Sequence, residues 1–420
     1  MIPFFKTLLR DRRGNALIIA GAAMPLLIGS VGLATDTIQW ALWNRQLQRA
    51  ADSAAFAGAY ARFQDKASGA AVTRDLTNNN HLWVPLKSGY PQVSEPADTS
   101  TFVRAVEVSL AVQQSLAFSS MFLSTVPTIT VTARAAAIDS GNFCVVALEN
   151  TNTPGIIIQG SANVNMGCGM ISNSTSASVS VDVIGNGHNV TAEPVAGVGG
   201  VEDINGVTNE QSNHLAQLDP YEGKYSTAVP AGQSCTAFNH ASKTTAATGK
   251  KKPGCYTGWT NGSADLEPGV YYLQNTTIDM QGNDVLSGTG VTLVFTGTTP
   301  GHIELNGNSK LVLTAPTDAT CGTFGGVNSC DYKNMLMIQS TAAALGNDNL
   351  INGNNGMVMD GAVYFPRGKI TFSGSSSAAT KCAMIVARRV HFSGSTDIQN
   401  NTTGCTAPTK VKGKVIKLIA

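Results

Sequence analysis

The sequence predicts a mostly β protein carried on one N-terminal transmembrane helix, and three observations predict it. Residues 14–35 hold no charge. Beyond about residue 141, short alternating apolar segments recur, each closed by Gly with Asn or Ser. Charged residues make up only 13% of the chain while Gly reaches 43, a balance that suits a turn-rich extracytoplasmic protein better than a cytosolic helical enzyme. The net charge of +1 provides no basic face for a nucleic-acid partner.

The first element is a basic tail, residues 1–13, with Lys6, Arg10, Arg12 and Arg13 against Asp11. Positive residues before an apolar span keep that end in the cytoplasm, so Arg10, Arg12 and Arg13 set the predicted topology. The span itself, residues 14–35, reads GNALIIAGAAMPLLIGSVGLAT. At ~1.5 Å per residue it makes ~33 Å of helix, enough for a bilayer core. Pro25 lies mid-span and predicts a kink, which membrane helices tolerate. A cleaved signal peptide would want a shorter apolar core. Trp40 and Trp43 fall where an interfacial aromatic belt belongs.

Residues 36–64 extend the helix, because Ala, Leu, Gln and Arg dominate and apolar positions recur at helical spacing. The small face of Ala50, Ala51, Ala54 and Ala55 allows close packing on the chain's own domain or on a partner.

The stretch RDRRGNALIIAGAAMPLLIGSVGLATD, with LQRAADSAAFAGA after it, resembles the N-terminal segment of the TadE/TadG-like proteins of Flp (tight adherence) pilus assembly. The resemblance covers residues 10–60. It rests on the Arg12-Arg13-Gly14-Asn15 start, the Pro25-containing span, the Gly32 to Asp36 exit and the run from Leu47 to Ala55. It implies an inner-membrane protein working with other pilus-assembly subunits. TadE-type members carry a Glu five residues beyond a processed Gly; here Ile19 stands in that place after Gly14, which points to an intact anchor as in the TadG-like branch. Some members of that branch carry a von Willebrand A domain. The nearest string, Asp98-Thr99-Ser100-Thr101-Phe102, has Phe where the metal site needs Ser, so that domain is not expected.

Residues 65–140 read as a small α+β module. Turn signals fill the polar stretch to residue 100, VRAVEVSLAV alternates as a strand, SLAFSSMFL suggests one short helix, and TITVTARAAAI alternates again.

Residues 141–420 form the β-rich domain. The pattern apolar-x-apolar-x-Gly-[Ser/Asn] places its Gly at 160, 185, 282, 307, 374 and 394, with neighbours 25, 25 and 20 residues apart. Periods of this size predict a solenoid, here a right-handed parallel β-helix, with a β-sandwich as the alternative. Ile303, Leu305, Ile370, Phe372, Val390 and Phe392 are the expected core. Residues 201–265 hold the least pattern and read as a long loop.

All eight Cys lie in this domain, which suits disulfides in an oxidising compartment. Near neighbours suggest Cys144 with Cys168, Cys235 with Cys255, Cys321 with Cys330, and Cys382 with Cys405. No C-x-x-C supports zinc.

No catalytic, cofactor or metal motif stands out. Six His are dispersed, and His188 and His391 read as exposed turn residues. Parallel β-helices include polysaccharide-cleaving enzymes, so a periplasmic carbohydrate-active enzyme is the competing expectation. Its candidate groups are Asp360, Arg367 and Lys369, with Asp318 and Asp331. The Lys-rich tail, with Lys410, Lys412, Lys414 and Lys417, reads as a guarded sheet edge or as a contact for an anionic envelope polymer or surface ligand. The expected role is a non-catalytic, envelope-anchored component of a Flp-type pilus or adhesion apparatus, with its bulk in the periplasm.

Overall fold

A computed structural model describes residues 14–78, 82–238, 250–260, 262–352, 356–374, 377–403, 405 and 410–419. The basic tail with Arg10, Arg12 and Arg13 therefore lies outside the described residues, as do His81 and His240. The chain divides into two compact units, residues 1–138 with 416–420, and residues 139–415.

In the first unit, the span and its extension form one helix, α1 (Gly14–Phe63), which continues through Pro25. This helix is long and apolar enough to cross a membrane. Its early apolar residues, including Met24, Leu27, Ile28 and Val31, are exposed, whereas Leu47, Ala50, Ala51, Ala54, Ala55 and Ala59 are buried. The change follows the tertiary contacts. The later part packs on α2 (Ser68–Asn78) and on the strand Phe102–Val112. Small residues permit that approach: a Cβ on Gly58 would come within 2.8 Å of Val106. Arg62 fastens the end of the helix by donating to the Ala105 carbonyl at 2.6 Å and pairing with Glu95 at 3.1 Å. The strand Phe102–Val112 pairs antiparallel with Gln92–Ser94 and with the start of Ile129–Ala147.

Two expectations change here. The polar stretch after residue 61 contains α2, whose buried Ser68, Ala71, Val72 and Asp75 recur at helical spacing. The segment SLAFSSMFL is not a helix of its own length: only a 3-10 turn, Ser119–Met121, forms.

The second unit is built of parallel ladders. The first ladder joins Thr236–Phe238, Gly254–Trp259, Gly269–Gln274, Val291–Thr296, Met335–Gln339, residues 362–365, 384–387 and 145–147, Gly169–Ser172, Val195–Gly197 and Glu210–Gln211, in that order. The second joins Ile278–Met280, Ile303–Leu305, Asn349–Asn352, residues 370–373 and 390–392, Ile156–Gln159 and Val181–Ile184. The third runs from Ala264–Leu266 through Val285–Thr289, Lys310–Thr314, Met357–Asp360, Ser377–Lys381, Asp397–Asn401 and Asn163–Asn165 to Asn189–Val190.

All six copies of the Gly motif sit on the second ladder. Their glycines have φ between 66° and 94°, the left-handed region that disfavours any side chain. Ile303, Leu305, Ile370, Phe372, Val390 and Phe392 are buried in one core shared by the three ladders, and the rings of Phe372 and Phe392 stack at 5.6 Å.

The outer side of the first ladder carries a second apolar layer, with Val270, Tyr272, Val294, Ile338, Tyr364 and Val386. Residues 212–235 run across it. Tyr221 meets Tyr364 edge-on at 5.5 Å and Tyr225 stacks on Tyr332 at 6.0 Å. Within the expected loop of 201–265, residues 212–235 are thus a packed strap, and the described residues after it include short strands at Thr236–Phe238, Gly254–Trp259 and Ala264–Leu266.

Candidate functional site

The most specific polar arrangement in the first unit lies where the uncharged run of α1 ends. Asp36 is almost fully buried. Its Oδ2 accepts from the backbone N–H of Phe118 at 3.1 Å and of Ser119 at 2.5 Å, and from the Ser119 hydroxyl at 2.6 Å. Three donors on one carboxylate offset the cost of removing it from water. One turn earlier, a Cβ on Gly32 would lie 2.2 Å from the Phe118 ring. The spacing Gly32-x-x-x-Asp36 puts both residues on one helix face. Gly32 leaves room for the ring and Asp36 holds the backbone beside it. Sequence reading marked Gly32 and Asp36 and missed Phe118 and Ser119, because a partner more than 80 residues away leaves no local pattern.

In the second unit the structure joins Cys144 to Cys168, Cys235 to Cys255, Cys321 to Cys330 and Cys382 to Cys405, with Cα separations of 5.8, 4.4, 4.9 and 5.6 Å. These lie within the range a disulfide requires.

The charged groups considered for catalysis are each engaged separately. Asp360 accepts from the Lys381 N–H at 2.7 Å, Arg367 donates to the Ala343 carbonyl at 3.2 Å, and Lys369 pairs with Asp348 at 3.4 Å. Burial pushes the Asp360 carboxyl above its ordinary value, against the effect of the Lys381 hydrogen bond. Asp318 pairs with Lys333, and Asp331 accepts from Asn328. Asp318 and Asp360 do share the lining of one cavity of about 440 Å³, with Asn334 and Lys381. Asp182 is also raised, first by burial and then by the neighbouring Glu202. Among the described residues, no group of three or more His, Cys, Asp or Glu is placed to hold a metal ion.

The histidines take varied positions. His188 bonds to the Gly185 carbonyl beside the glycine corner, but it is half-buried and not the exposed residue read from sequence. His391 does not sit in a turn: it lies half-buried on Met384–Phe392, opposite Thr371 and Ile157. His214 is buried. Its Nδ1 donates to the Leu215 carbonyl at 2.8 Å, which leaves Nε2 to accept from the Ser140 hydroxyl at 2.7 Å. Burial pulls its pKa below the ordinary value. In the tail, Lys412 and Lys414 both pair with Asp139.

Residues 14–62 match the family model described as putative Flp pilus-assembly TadE/G-like. No curated protein and no solved structure matches the chain.

Proposed function

We propose that this protein is a non-catalytic, envelope-anchored structural or assembly component of a Flp-type (Tad) pilus or adhesion apparatus. The observation that carries the reading is the coincidence of the family match with a single feature of the fold. Residues 14–62 match the TadE/G-like pilus-assembly model, and the same residues form one unbroken helix whose first part is apolar and exposed. An exposed apolar stretch of that length asks for lipid or for other helices. The Lys and Arg residues before the span orient the N-terminus to the cytoplasm of a bacterial inner membrane, with the bulk of the chain in the periplasm. Four disulfides suit that oxidising side. Other pilus-assembly subunits are the expected partners, with an envelope polymer or surface ligand for the β-rich body.

We read that body as a right-handed parallel β-helix-like solenoid. Three parallel ladders that share one core support this over a sandwich, whose sheets are antiparallel. Its broad surface suits binding and assembly.

Alkaline phosphatase fused after residue 140 tests the topology and is expected to be active. An inactive fusion, with a cytoplasmic reporter active at the same point, would reverse the orientation. Crosslinking in cells that assemble the pilus tests the role: capture of pilus-assembly subunits through α1 is expected, and its absence, with normal piliation after deletion of the gene, refutes the assignment.

A further inference from the structure

We propose that residues 116–123 form a second membrane contact, a short apolar turn inserted into the bilayer interface beside α1. The inference rests on the reading that residues 14–35 span the membrane, and it adds a surface which that reading does not supply.

Depth is set by the clamp. Phe118 seats its ring against Gly32, inside the uncharged run, and Asp36 binds the backbone of Phe118 and Ser119. Gly32 lies four residues before Asp36, ~6 Å along the axis, so the turn is held level with the last turn of the span. Beyond the clamp, three consecutive large apolar residues face outward: Met121, Phe122 and Leu123 are 76%, 66% and 45% exposed. Single exposed apolar residues need no explanation, but three in a row at the membrane exit do.

The backbone is prepared for an apolar setting. Met121 N–H donates to the Phe118 carbonyl at 3.1 Å, and the Phe122 and Leu123 N–H groups donate to the Ser119 carbonyl at 3.1 and 2.9 Å. The Ser120 hydroxyl is taken by the Ala117 carbonyl at 3.1 Å. Donors satisfied within the turn need no water, which lowers the cost of entering the interface. No charged residue occurs between Glu107 and Arg134, and the neighbouring Asp36 carboxylate is taken up by three donors of the turn itself. Trp40 lines a small cleft with Leu116 and Leu123, the place for an interfacial aromatic. Continuity with the apolar face of α1 makes lipid the occupant, in preference to a second copy or another subunit.

Depth-dependent quenching of tryptophan tests this in the full chain, reconstituted in vesicles of phosphatidylethanolamine and phosphatidylglycerol. Some of the lipids carry bromine either near the headgroups or near the bilayer centre. Phe122→Trp and Met121→Trp place a reporter on the turn, Leu27→Trp one in mid-span, and Ser100→Trp one at the far end of α1. Ser100 lies near Arg104, whose partner Asp65 is ~40 Å along the helix from Asp36. Each signal is read as the difference from the parent protein. The turn reporters are expected to lose about half their emission to shallow bromines, as suits a side chain ~5–10 Å below the headgroups, and less to deep ones. Leu27→Trp should respond most to deep bromines and Ser100→Trp to neither. Quenching of Leu27→Trp without quenching of either turn reporter overturns the second contact and leaves the anchor standing. A blue-shifted but unquenched turn reporter places a protein partner there instead of lipid, which also overturns it. Absence of quenching at Leu27→Trp removes the anchor and the proposal together.

Discussion

Truncating Phe372 gives the sharpest test of the second ladder. Its ring is 2% exposed, lies parallel to Phe392 at 5.6 Å, and belongs to the core that the three ladders share. A buried aromatic ring removes ~200 Å² from water, worth ~5 kcal/mol at ~25 cal/mol per Å². Ala keeps a small part of that burial, and the vacated space adds a cavity cost, so Phe372→Ala should lose ~3–5 kcal/mol. Thr371 is the internal control. It adjoins Phe372, pairs with Leu350 and His391, and points the other way, half-exposed. Thr371→Ala should cost less than ~0.5 kcal/mol. Urea unfolding of the oxidised full chain in detergent, in a background with Trp40, Trp43 and Trp83 of the first unit replaced by Phe so that Trp259 alone reports, reads the second unit. Each unit must give a single transition for the midpoints to be compared as free energies. Equal midpoint shifts for the two variants would refute the inward and outward assignment.

Three further outcomes follow from the same geometry. Gly282→Ala meets no atom within 4 Å and should lose only the ~1–2 kcal/mol of a left-handed backbone, whereas Gly307→Ala, with φ 69° and the Gly282 backbone 3.0 Å from the new Cβ, should lose more in the same urea titration. His214 has a depressed pKa in the fold, so the folded state resists its protonation; stability should be full above the unfolded value of ~6.5 and fall as pH drops from there toward the folded value, and His214→Gln should flatten that slope in urea midpoints measured across pH. His391 is also lowered and slopes the same way, so the flattening is partial. Non-reducing peptide mapping should recover the Cys235–Cys255 pair, and replacing both with Ser should lose ~3 kcal/mol by the chain-entropy account and speed proteolysis within 212–235; intact resistance of that segment would show that its aromatic contacts hold it alone.

What could be read from sequence depended on whether an environment imposes a period. On the second ladder one face is core and the other is solvated, so Ile303-Glu304-Leu305 and Ile370-Thr371-Phe372 alternate and the motif is visible. On the first ladder both faces are buried, and Met335–Gln339 and Val291–Thr296 are buried at every position and apolar except at Gln339, Thr292 and Thr296. Such runs announce a strand and hide its second partner, the strap. One rung of the second ladder escaped for a different reason: in Asn349–Asn352 the first apolar position is Asn349, whose side chain accepts from the Ile303 N–H at 3.1 Å. A polar residue that satisfies the neighbouring rung breaks the pattern without breaking the ladder. The same masking hid α2, where Ser68 and Asp75 occupy half of the buried stripe and Ser68 bonds to Glu95. The uncharged span was legible because a bilayer would act on each of its residues alike, whereas the Phe118 and Ser119 clamp depends on a fold-level contact.

The stacking order explains why the strap exists. Apart from the hairpin at 323–328, the strands from residues 264 to 401 stack in chain order, and the next neighbours are the earlier residues 145–165. The chain thus joins the ladders part-way along, builds outward to Glu210–Gln211, and must then reach the opposite end at Thr236–Phe238 before the remaining strands can form. Ten strand pairings separate those two ends of the first ladder, ~48 Å at ~4.8 Å per strand. The residues between 211 and 236 reach at most ~80 Å when extended, so the crossing is feasible only along a fairly direct line. Its contacts descend in that order. Gln217 binds Asn173, Asp219 accepts from the Tyr364 hydroxyl, Ser226 accepts from that of Tyr332, Thr227 from Thr296, and Cys235 ends on Cys255. A direct crossing over the first ladder covers its outer face, and a covered face favours the apolar residues found there. The seam between residues 384–392 and 145–158 can close only after the chain has travelled out and back, so it consists of contacts more than 200 residues apart in sequence. Local propensity cannot supply such contacts; the strap and its terminal disulfide limit the space the later strands must search to find them.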